Sequence, residues 1–322
     1  MTCDKLLEIL ENNRGEFVSG KAIADDMKLS RNAVWKAVSE LRSLGHKITA
    51  VTNKGYRLEA DSPIITAYTV KKHLKNENIN IIMFESCPST NAVAHEYAKS
   101  GASDMTVVIA NSQSAGRGRM GRSFYSPGNT GLYMSFVLRP SIEAKCALEI
   151  TTASAVAAAR VISRESAGDV KIKWVNDIYI DMKKACGILT EASMDIENGY
   201  LSFAVLGIGV NLFPPEGGFP AEISNTATSI YSCGYDCEKK ARLAAALIDE
   251  FASLYPHIGK GSFVDEYRKF SLMPGKEIYV LSGDSRIPAT ALAIEDDYSL
   301  TVRYSDGSIG KLSSGDVSIK VR

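Results

Sequence analysis

The sequence predicts an α+β multidomain chain: an N-terminal winged helix-turn-helix, a central mixed sheet with covering helices, and a C-terminal SH3-like β-barrel. Three observations predict it. Residues 1–60 carry three amphipathic helix patterns followed at once by a hairpin pattern. From about residue 79, apolar strand-length runs alternate with helix-length segments. The last fifty residues hold five short strand patterns separated by Gly, Asp and Ser turns. At 322 residues the chain also exceeds what one small core organises, so two or three domains are expected from size alone.

In the first sixty residues, Leu6, Leu7, Ile9 and Leu10 give the apolar face of a helix that Asn12-Asn13-Arg14-Gly15 ends. Ser19 is placed to cap a second helix, Gly20 to Met27. After the turn Lys28-Leu29-Ser30, a third helix runs through Val34, Val38, Leu41 and Leu44 to Gly45. The hairpin His46 to Leu58 turns at Asn53-Lys54-Gly55 and forms the wing. Six Lys and four Arg face three Asp and five Glu here, a mild excess whose distribution matters more than its sum. Arg31, Asn32 and Lys36 lie early on the third helix, where a recognition helix meets the major groove, and Lys54 and Arg57 lie on the wing. These five are the candidate DNA-binding residues, with duplex DNA as partner.

Residues 60–66, with Pro63, form a linker, so the expected domains are 1–60, 67–270 and 271–322. In the central domain, Ile79–Phe84 is a strand, and Ser89-Thr90-Asn91 opens a helix reaching about Lys99. Thr106–Ala110 and Leu132–Leu138 are strands, and an Ala-rich helix covers roughly 143–167. Lys171–Ile180, Ala185–Glu191 and Leu201–Asn211 are strands, and Asp236–His257 and Ser262–Phe270 are helices. The five short strands are 277–281, 287–294, 299–304, 308–312 and 317–321.

Composition excludes little by itself. Hydrophobic residues make up 45% and charged residues 23%, and Lys plus Arg balance Asp plus Glu at 37 each. Any phosphate or nucleic-acid binding must therefore come from local patches. No apolar run reaches the roughly 18 residues of a membrane helix, and the first residues lack the pattern of a signal peptide. A cytoplasmic chain without membrane partners is expected. Six dispersed cysteines without a C-x-x-C pair suggest neither a disulfide framework nor a metal site.

The chemistry centres on Gly116-Arg117-Gly118-Arg119-Met120-Gly121-Arg122, which follows a strand. Glycines admit φ > 0 and close backbone approach, and arginines bring planar, permanently charged donors, so together they describe an anion clamp. The spacing also fits G-x-G-x-x-G, but no helix opens at the last glycine, which disfavours a dinucleotide crevice. Three further stretches join it. Lys171–Asp177, read as one extended segment, puts Lys171, Lys173, Val175 and Asp177 on one face. Lys184 precedes an apolar strand containing Gly187, and Gly207-Ile208-Gly209-Val210-Asn211 sets bare backbone beside an amide.

These motifs, in this order and over essentially the full chain, resemble the bifunctional biotin–protein ligases that are also biotin operon repressors. The match runs through Ser89-Thr90-Asn91, Gln113, the loop 116–122, Lys173-Trp174-x-Asn176-Asp177, Lys184-x-x-Gly187 and Gly207-x-Gly209-x-Asn211. The resemblance implies a biotin/lipoate ligase-like central domain that makes biotinoyl-5′-AMP from biotin and ATP. Biotin then passes to a lysine of the biotin carboxyl carrier protein of acetyl-CoA carboxylase. It implies a biotin site of Ser89, Thr90, Asn91, Gln113, Gly116, Arg117, Arg119, Lys184 and Gly187. It implies a nucleotide site of Arg119, Arg122, Phe124, Lys173, Asn176, Asp177 and Asn211, with Lys184 and Arg119 as the catalytic pair. Mg²⁺ would accompany ATP, and a homodimer loaded with biotinoyl-AMP would bind the operator. Two positions depart from the family: Val175 stands for the usual proline, and Phe124 stands where an indole is common. A ligand-sensing winged-helix transcription factor without ligase activity is the alternative reading.

Overall fold

A computed structural model of the chain describes residues 2–76, 78–195, 197–282, 285–313 and 316–319. The chain divides into two compact units, Met1–Glu77 with Tyr235–Ala245, and Asn78–Gly234 with Ala246–Arg322.

The first unit is built on α1 (Thr2–Asn12), α2 (Gly20–Met27), α3 (Arg31–Ser43) and the antiparallel pair β1 (Ile48–Val51) and β2 (Gly55–Leu58). Its core is made by Leu6, Leu10, Ile23, Val34, Val38, Leu41, Ile48 and Leu58, the residues whose spacing marks the inward faces. Both expected caps form: Ser19 accepts from the Lys21 and Ala22 amides, and Ser30 accepts from the Ala33 amide. Lys28 takes the left-handed conformation that ends α2 and starts the turn. The segment after the wing is more structured than a plain linker. It leads into α4 (Ala67–Lys71), a short helix that sequence periodicity missed because five residues show no period, held by a Thr66–Thr69 capping box. Arg14 binds Glu11 through two contacts of 2.8 and 2.9 Å and donates to the Ala60 carbonyl, which ties the linker to α1.

The second unit holds a seven-stranded sheet with β3 (Ile81–Cys87), β4 (Thr106–Gln113), β5 (Gly131–Leu138), β6 (Val170–Lys173), β7 (Asp177–Ile180), β8 (Lys183–Met194) and β9 (Leu201–Asn211). The order is β3-β4-β5-β9-β8-β7-β6, and only β3 and β4 run parallel, so the sheet is mixed. Helix α5 (Thr90–Lys99) packs on it through Ala94 and Ala98. Helix α6 (Ala147–Glu165) is Ala-rich and buried over most of its length. The helical stretch Ala144–Glu165 is long and apolar enough by length and composition alone to cross a membrane, but 67% of its apolar 18-residue window is buried inside the protein. Packing on the sheet accounts for its apolarity.

One expectation fails locally. Residues 171–180 are not a single strand: β6 ends at Lys173, Trp174–Asn176 turn, and β7 returns antiparallel with Lys173 opposite Asp177. The alternation of faces breaks at the turn, where Trp174, Val175 and Asn176 are all buried. The Trp174–Val175 peptide is cis. The Trp174 indole donates to the Tyr298 carbonyl at 2.8 Å, and the Tyr267 hydroxyl donates to the Val175 carbonyl at 3.1 Å. Long-range packing thus holds a turn that local pattern cannot announce.

Helix α7 (Cys237–Leu254) and α8 (Val264–Phe270) precede five short strands, β10 (Glu277–Ser282), β11 (Ser285–Ile294), β12 (Leu300–Tyr304), β13 (Ile309–Leu312) and β14 (Asp316–Ile319). All pairings are antiparallel, in the order β13-β12-β11-β10-β14. Among the described residues no pairing closes β13 onto β14, so the observed element is a five-stranded sheet, and residues 320 and 321 of the expected last strand lie outside the described ones.

Candidate active site

The Gly/Arg run folds as a small hairpin flap. The Phe124 amide donates to the Gly116 carbonyl at 2.9 Å, the Gly118 amide donates to the Arg122 carbonyl at 2.7 Å, and Arg117 bridges Ser123. Its tip is Met120-Gly121, both at positive φ, with Met120 76% exposed. This corrects the sequence argument about the glycines, because only Gly121 uses left-handed φ. Gly116 is needed for a different reason: a Cβ there would lie 2.4 Å from the Phe124 carbonyl oxygen.

Beneath the flap, β8 and β9 present bare backbone. Gly187 and Gly209 are cross-strand partners, and the Phe124 ring lies on both, 2.7 Å from where a Cβ on Gly209 would stand. At one end of this floor, a bulge in β8 opposite Ile178 and Tyr179 re-aims the strand start. Lys184 Nζ there reaches Asp177 Oδ1 at 2.7 Å. Beside it, Arg119 Nη1 donates to Asn176 Oδ1 at 3.1 Å, and Asn176 Nδ2 donates to the Ile188 carbonyl at 2.6 Å. The β6–β7 turn, the flap and β8 therefore meet, and two cations converge over the glycine floor. Cys186, next to Gly187, is fully buried, and burial pushes its thiol pKa well up, which keeps it a protonated core group and not a nucleophile.

At the other end lies a neutral polar wall. The Thr90 amide donates to Gln113 Oε1 at 2.8 Å, and Gln113 Nε2 donates to Ser126 Oγ at 2.9 Å. Buried Ser135 Oγ lies 2.7 Å from Asn91 Oδ1 and 2.8 Å from Thr90 Oγ1. Asn91 Nδ2 donates to Glu191 Oε2 at 2.9 Å, and a Cβ on Gly207 would collide with the Asn91 amide. Ser89 occupies the N-cap position of α5 but makes no side-chain capping bond, so its hydroxyl is left for the cavity it lines.

One cavity joins the two ends. It is lined by Ser89, Thr90, Asn91, Gln113, Arg117, Arg119, Arg122, Phe124, Asn176, Asp177, Lys184 and Gly187, all singled out in the sequence. Three singled-out residues stand apart. Gly116 lies behind Phe124 and Ser126. Lys173 places its Nζ 5.7 Å over the Tyr179 ring, outside the lining. Asn211 donates to the Thr228 carbonyl at 3.1 Å, pinning the chain after β9 instead of facing the cavity. Conversely, Ser135, Glu191 and Tyr133 were missed. Ser135 had a signal, as the lone hydroxyl in the apolar run Leu132–Leu138 apart from the Tyr133 phenol.

This arrangement has relatives. Residues 83–211 match the Biotin/lipoate A/B protein ligase family and residues 4–57 match an HTH domain. The chain is 32% identical over 319 residues to the bifunctional ligase/repressor BirA of Bacillus subtilis (strain 168), covering 98% of this chain and 97% of the relative. The chain belongs to the bifunctional ligase/repressor family. The Escherichia coli (strain K12) family member is 27% identical over 98% of this chain and 96% of its own length. Among solved structures, a mutant biotin protein ligase from Aquifex aeolicus, in complex with biotin, is similar with a TM-score of 0.61 and 26% identity, over 75% of this chain and 98% of that one.

In this ligase/repressor the first unit carries the second activity. Arg31, Asn32 and Lys36 are exposed on α3, and Lys54 is exposed in the wing turn. Arg57 is committed elsewhere: it pairs with Glu59 at 2.9 Å and stacks over Phe17 at 4.6 Å.

Proposed function

We propose that the chain makes biotinoyl-5′-AMP in the flap-covered cavity, transfers biotin to a lysine of the biotin carboxyl carrier protein of acetyl-CoA carboxylase, and represses biotin genes as an adenylate-loaded homodimer in the cytoplasm. The observation that carries the reading is the convergence of Lys184 and Arg119 at one end of a glycine floor whose other end is the neutral wall of Ser89, Thr90, Asn91 and Gln113. An uncharged bicyclic urea suits the neutral wall, and a carboxylate meeting a phosphate suits the cationic end.

A carboxylate oxygen of biotin attacks the α-phosphorus of ATP. A P–O bond forms, the bond to the bridging oxygen breaks, and its electron pair leaves with pyrophosphate. Displacement at phosphorus needs fixed positive charge and alignment more than a proton-transferring base. Lys184, oriented by Asp177, and Arg119, oriented by Asn176, supply that charge. Arg122 and Phe124 face the nucleotide side. In the second half-reaction the neutral amine of the acceptor lysine attacks the acyl carbon, AMP leaves, and the amine loses its proton to solvent.

Among the described residues no cluster of three or more His, Cys, Asp or Glu side chains could hold a metal ion unaided. That fits Mg²⁺ arriving on ATP, since Mg²⁺ keeps several waters and takes few protein carboxylates. Asp177 and Asn176 would meet it, and its chemistry would be to neutralise the departing pyrophosphate. Incubation with biotin, Mg-ATP and an acceptor domain, followed by a streptavidin blot, tests the reading: an unlabelled acceptor beside a folded chain overturns the ligase half.

A further inference from the structure

Trp35 stands out on α3 because the core does not use it. It is 56% exposed, whereas the other tryptophan, Trp174, is 3% exposed. The inward face of α3 is already filled by Val34, Ala37, Val38 and Leu41. Among the described residues the Trp35 indole N–H has no hydrogen-bond partner. Trp35 is four residues after Arg31 and three after Asn32, so its ring shares a helix face with that cation and amide, while Lys36, the next residue, lies about 100° further round the helix. Along the helix the nearest acid, Glu40, is five residues further on. An apolar plane flanked by cations suits a polyanion that also offers an apolar group. In duplex DNA that group is the thymine 5-methyl, the one hydrocarbon on the major-groove edge of the bases.

We infer that Trp35 is a base-reading residue of the repressor, packing its indole against a thymine methyl in the major groove while Arg31 and Lys36 hold phosphates on either side. This rests on the repressor reading above and adds to it a source of sequence discrimination. Charged contacts to phosphate position a protein without reading sequence. A methyl contact discriminates thymine from the other three bases.

The test uses the full chain with biotin and Mg-ATP. A duplex is selected from a randomised library by the wild type, and each thymine in it is then replaced by deoxyuridine, which keeps the pairing and removes only the methyl. Wild type is expected to lose about tenfold in affinity at one thymine per half-site, within the range a single base contact supplies. Trp35→Ala should lose a similar factor on the unmodified duplex and nothing further on the deoxyuridine one, with Trp35→Phe between. Lys36→Ala should instead weaken all duplexes alike and flatten the salt dependence. Circular dichroism and ligase turnover should be unchanged in all three variants. Wild-type affinity in Trp35→Ala, or deoxyuridine losses that persist in it, overturns the inference while leaving the repressor reading intact. Failure of the wild type to select any sequence overturns both.

Discussion

Lys184 Nζ and Asp177 Oδ1 stand 2.7 Å apart at the cationic end of the cavity, an ion pair joining the start of β8 to the start of β7 across a bulge. Both side chains are partly shielded, at 32% and 18% exposure, so the pair fixes the ammonium in direction while leaving it on the cavity lining. A carboxylate partner preorganises a lysine for an incoming phosphate at a lower desolvation cost than a closed salt bridge in a dry core would carry.

Lys184→Ala is expected to slow adenylate formation by about 10²-fold or more, the loss typical of one preorganised electrostatic contact. Pyrophosphate release measures it. Asp177→Asn should also slow adenylate formation, because it relaxes the ammonium's orientation and removes the carboxylate placed to meet Mg²⁺. Equal rates in Lys184→Ala and wild type, with normal circular dichroism, would remove Lys184 from the mechanism.

Arg119→Ala should have an effect of similar size, again about 10²-fold, since it removes the second cation. Arg119→Lys should rescue little. The guanidinium reaches the site from a flap and is braced by Asn176, and a lysine cannot reproduce a planar fork that holds one partner while offering donors to another. Full rescue by lysine would show that only net charge matters there.

Gly209→Ala tests the glycine floor. Its Cβ would stand 2.7 Å from the Phe124 ring, so the ring or the flap must shift. Overpacking of this kind typically costs about 1–3 kcal/mol. The expected outcome is a lower unfolding midpoint and weaker biotin binding by calorimetry, partly restored by Phe124→Leu in the same chain. An unchanged biotin affinity would mean that the ring position is irrelevant to the ligand.

Much of this was legible in the sequence because the residues involved are forced by local physics. Ser19 and Ser30 announce helix starts, the 3.6 period of Leu6, Leu10, Val34 and Val38 announces an inward face, and Gly187 and Gly209 announce bare backbone. What escaped depends on distant partners. Lys173 and Asn211 belong to motif-bearing segments, yet one turns to Tyr179 and the other ties down the Thr228 carbonyl. The turn at Trp174–Asn176 is fixed by Tyr298 and Tyr267, roughly a hundred residues away in the chain, and no window around it contains that information. Glu191 lies at the end of an apolar strand and looks solvated until Asn91 is brought to it by α5.

His46 gives a pH dependence to the first unit. Burial, helped by the nearby Arg14 charge, lowers its pKa from 6.5 to about 4, and among the described residues its Nδ1 has no hydrogen-bond partner. Above pH 6.5 the residue is neutral folded or unfolded. Between 6.5 and 4 the unfolded chain binds the proton more readily, so stability falls as pH falls through that window. At pH 5 the loss is about 2 kcal/mol, from 1.36 kcal/mol per unit. Amide exchange of α1 and α3, corrected for intrinsic rates, should show this loss between pH 7 and 5, and His46→Leu should abolish it. The same loss in His46→Leu would assign it to other groups.

Biotinoyl-AMP should act as the corepressor by favouring a dimer that reaches two half-sites. One winged helix reads a short site, and operator-level affinity requires two on a symmetric assembly. The flap is the natural coupling element, because its tip residue Met120 is 76% exposed and yet lines the cavity beside the Arg117 and Arg119 side chains. Ordering those arginines around an adenylate fixes the tip as well, and a surface held in one conformation loses less entropy on meeting a second copy. A ligand that binds the dimer-competent state about 100-fold more tightly supplies roughly 2.7 kcal/mol per site, enough to move a weak dimer into a working concentration range. Sedimentation velocity and parallel operator gel shifts on the apo chain, with biotin, and with a non-hydrolysable biotinoyl-AMP analogue should show dimer fraction and operator affinity rising together with the analogue. Met120→Ser should blunt both, and because Met120 also lines the cavity, pyrophosphate release measured on the same variant separates a dimerisation defect from a slowed adenylation. If saturation with the analogue leaves dimer fraction and operator affinity unchanged, the chain represses by another route even where its ligase activity stands.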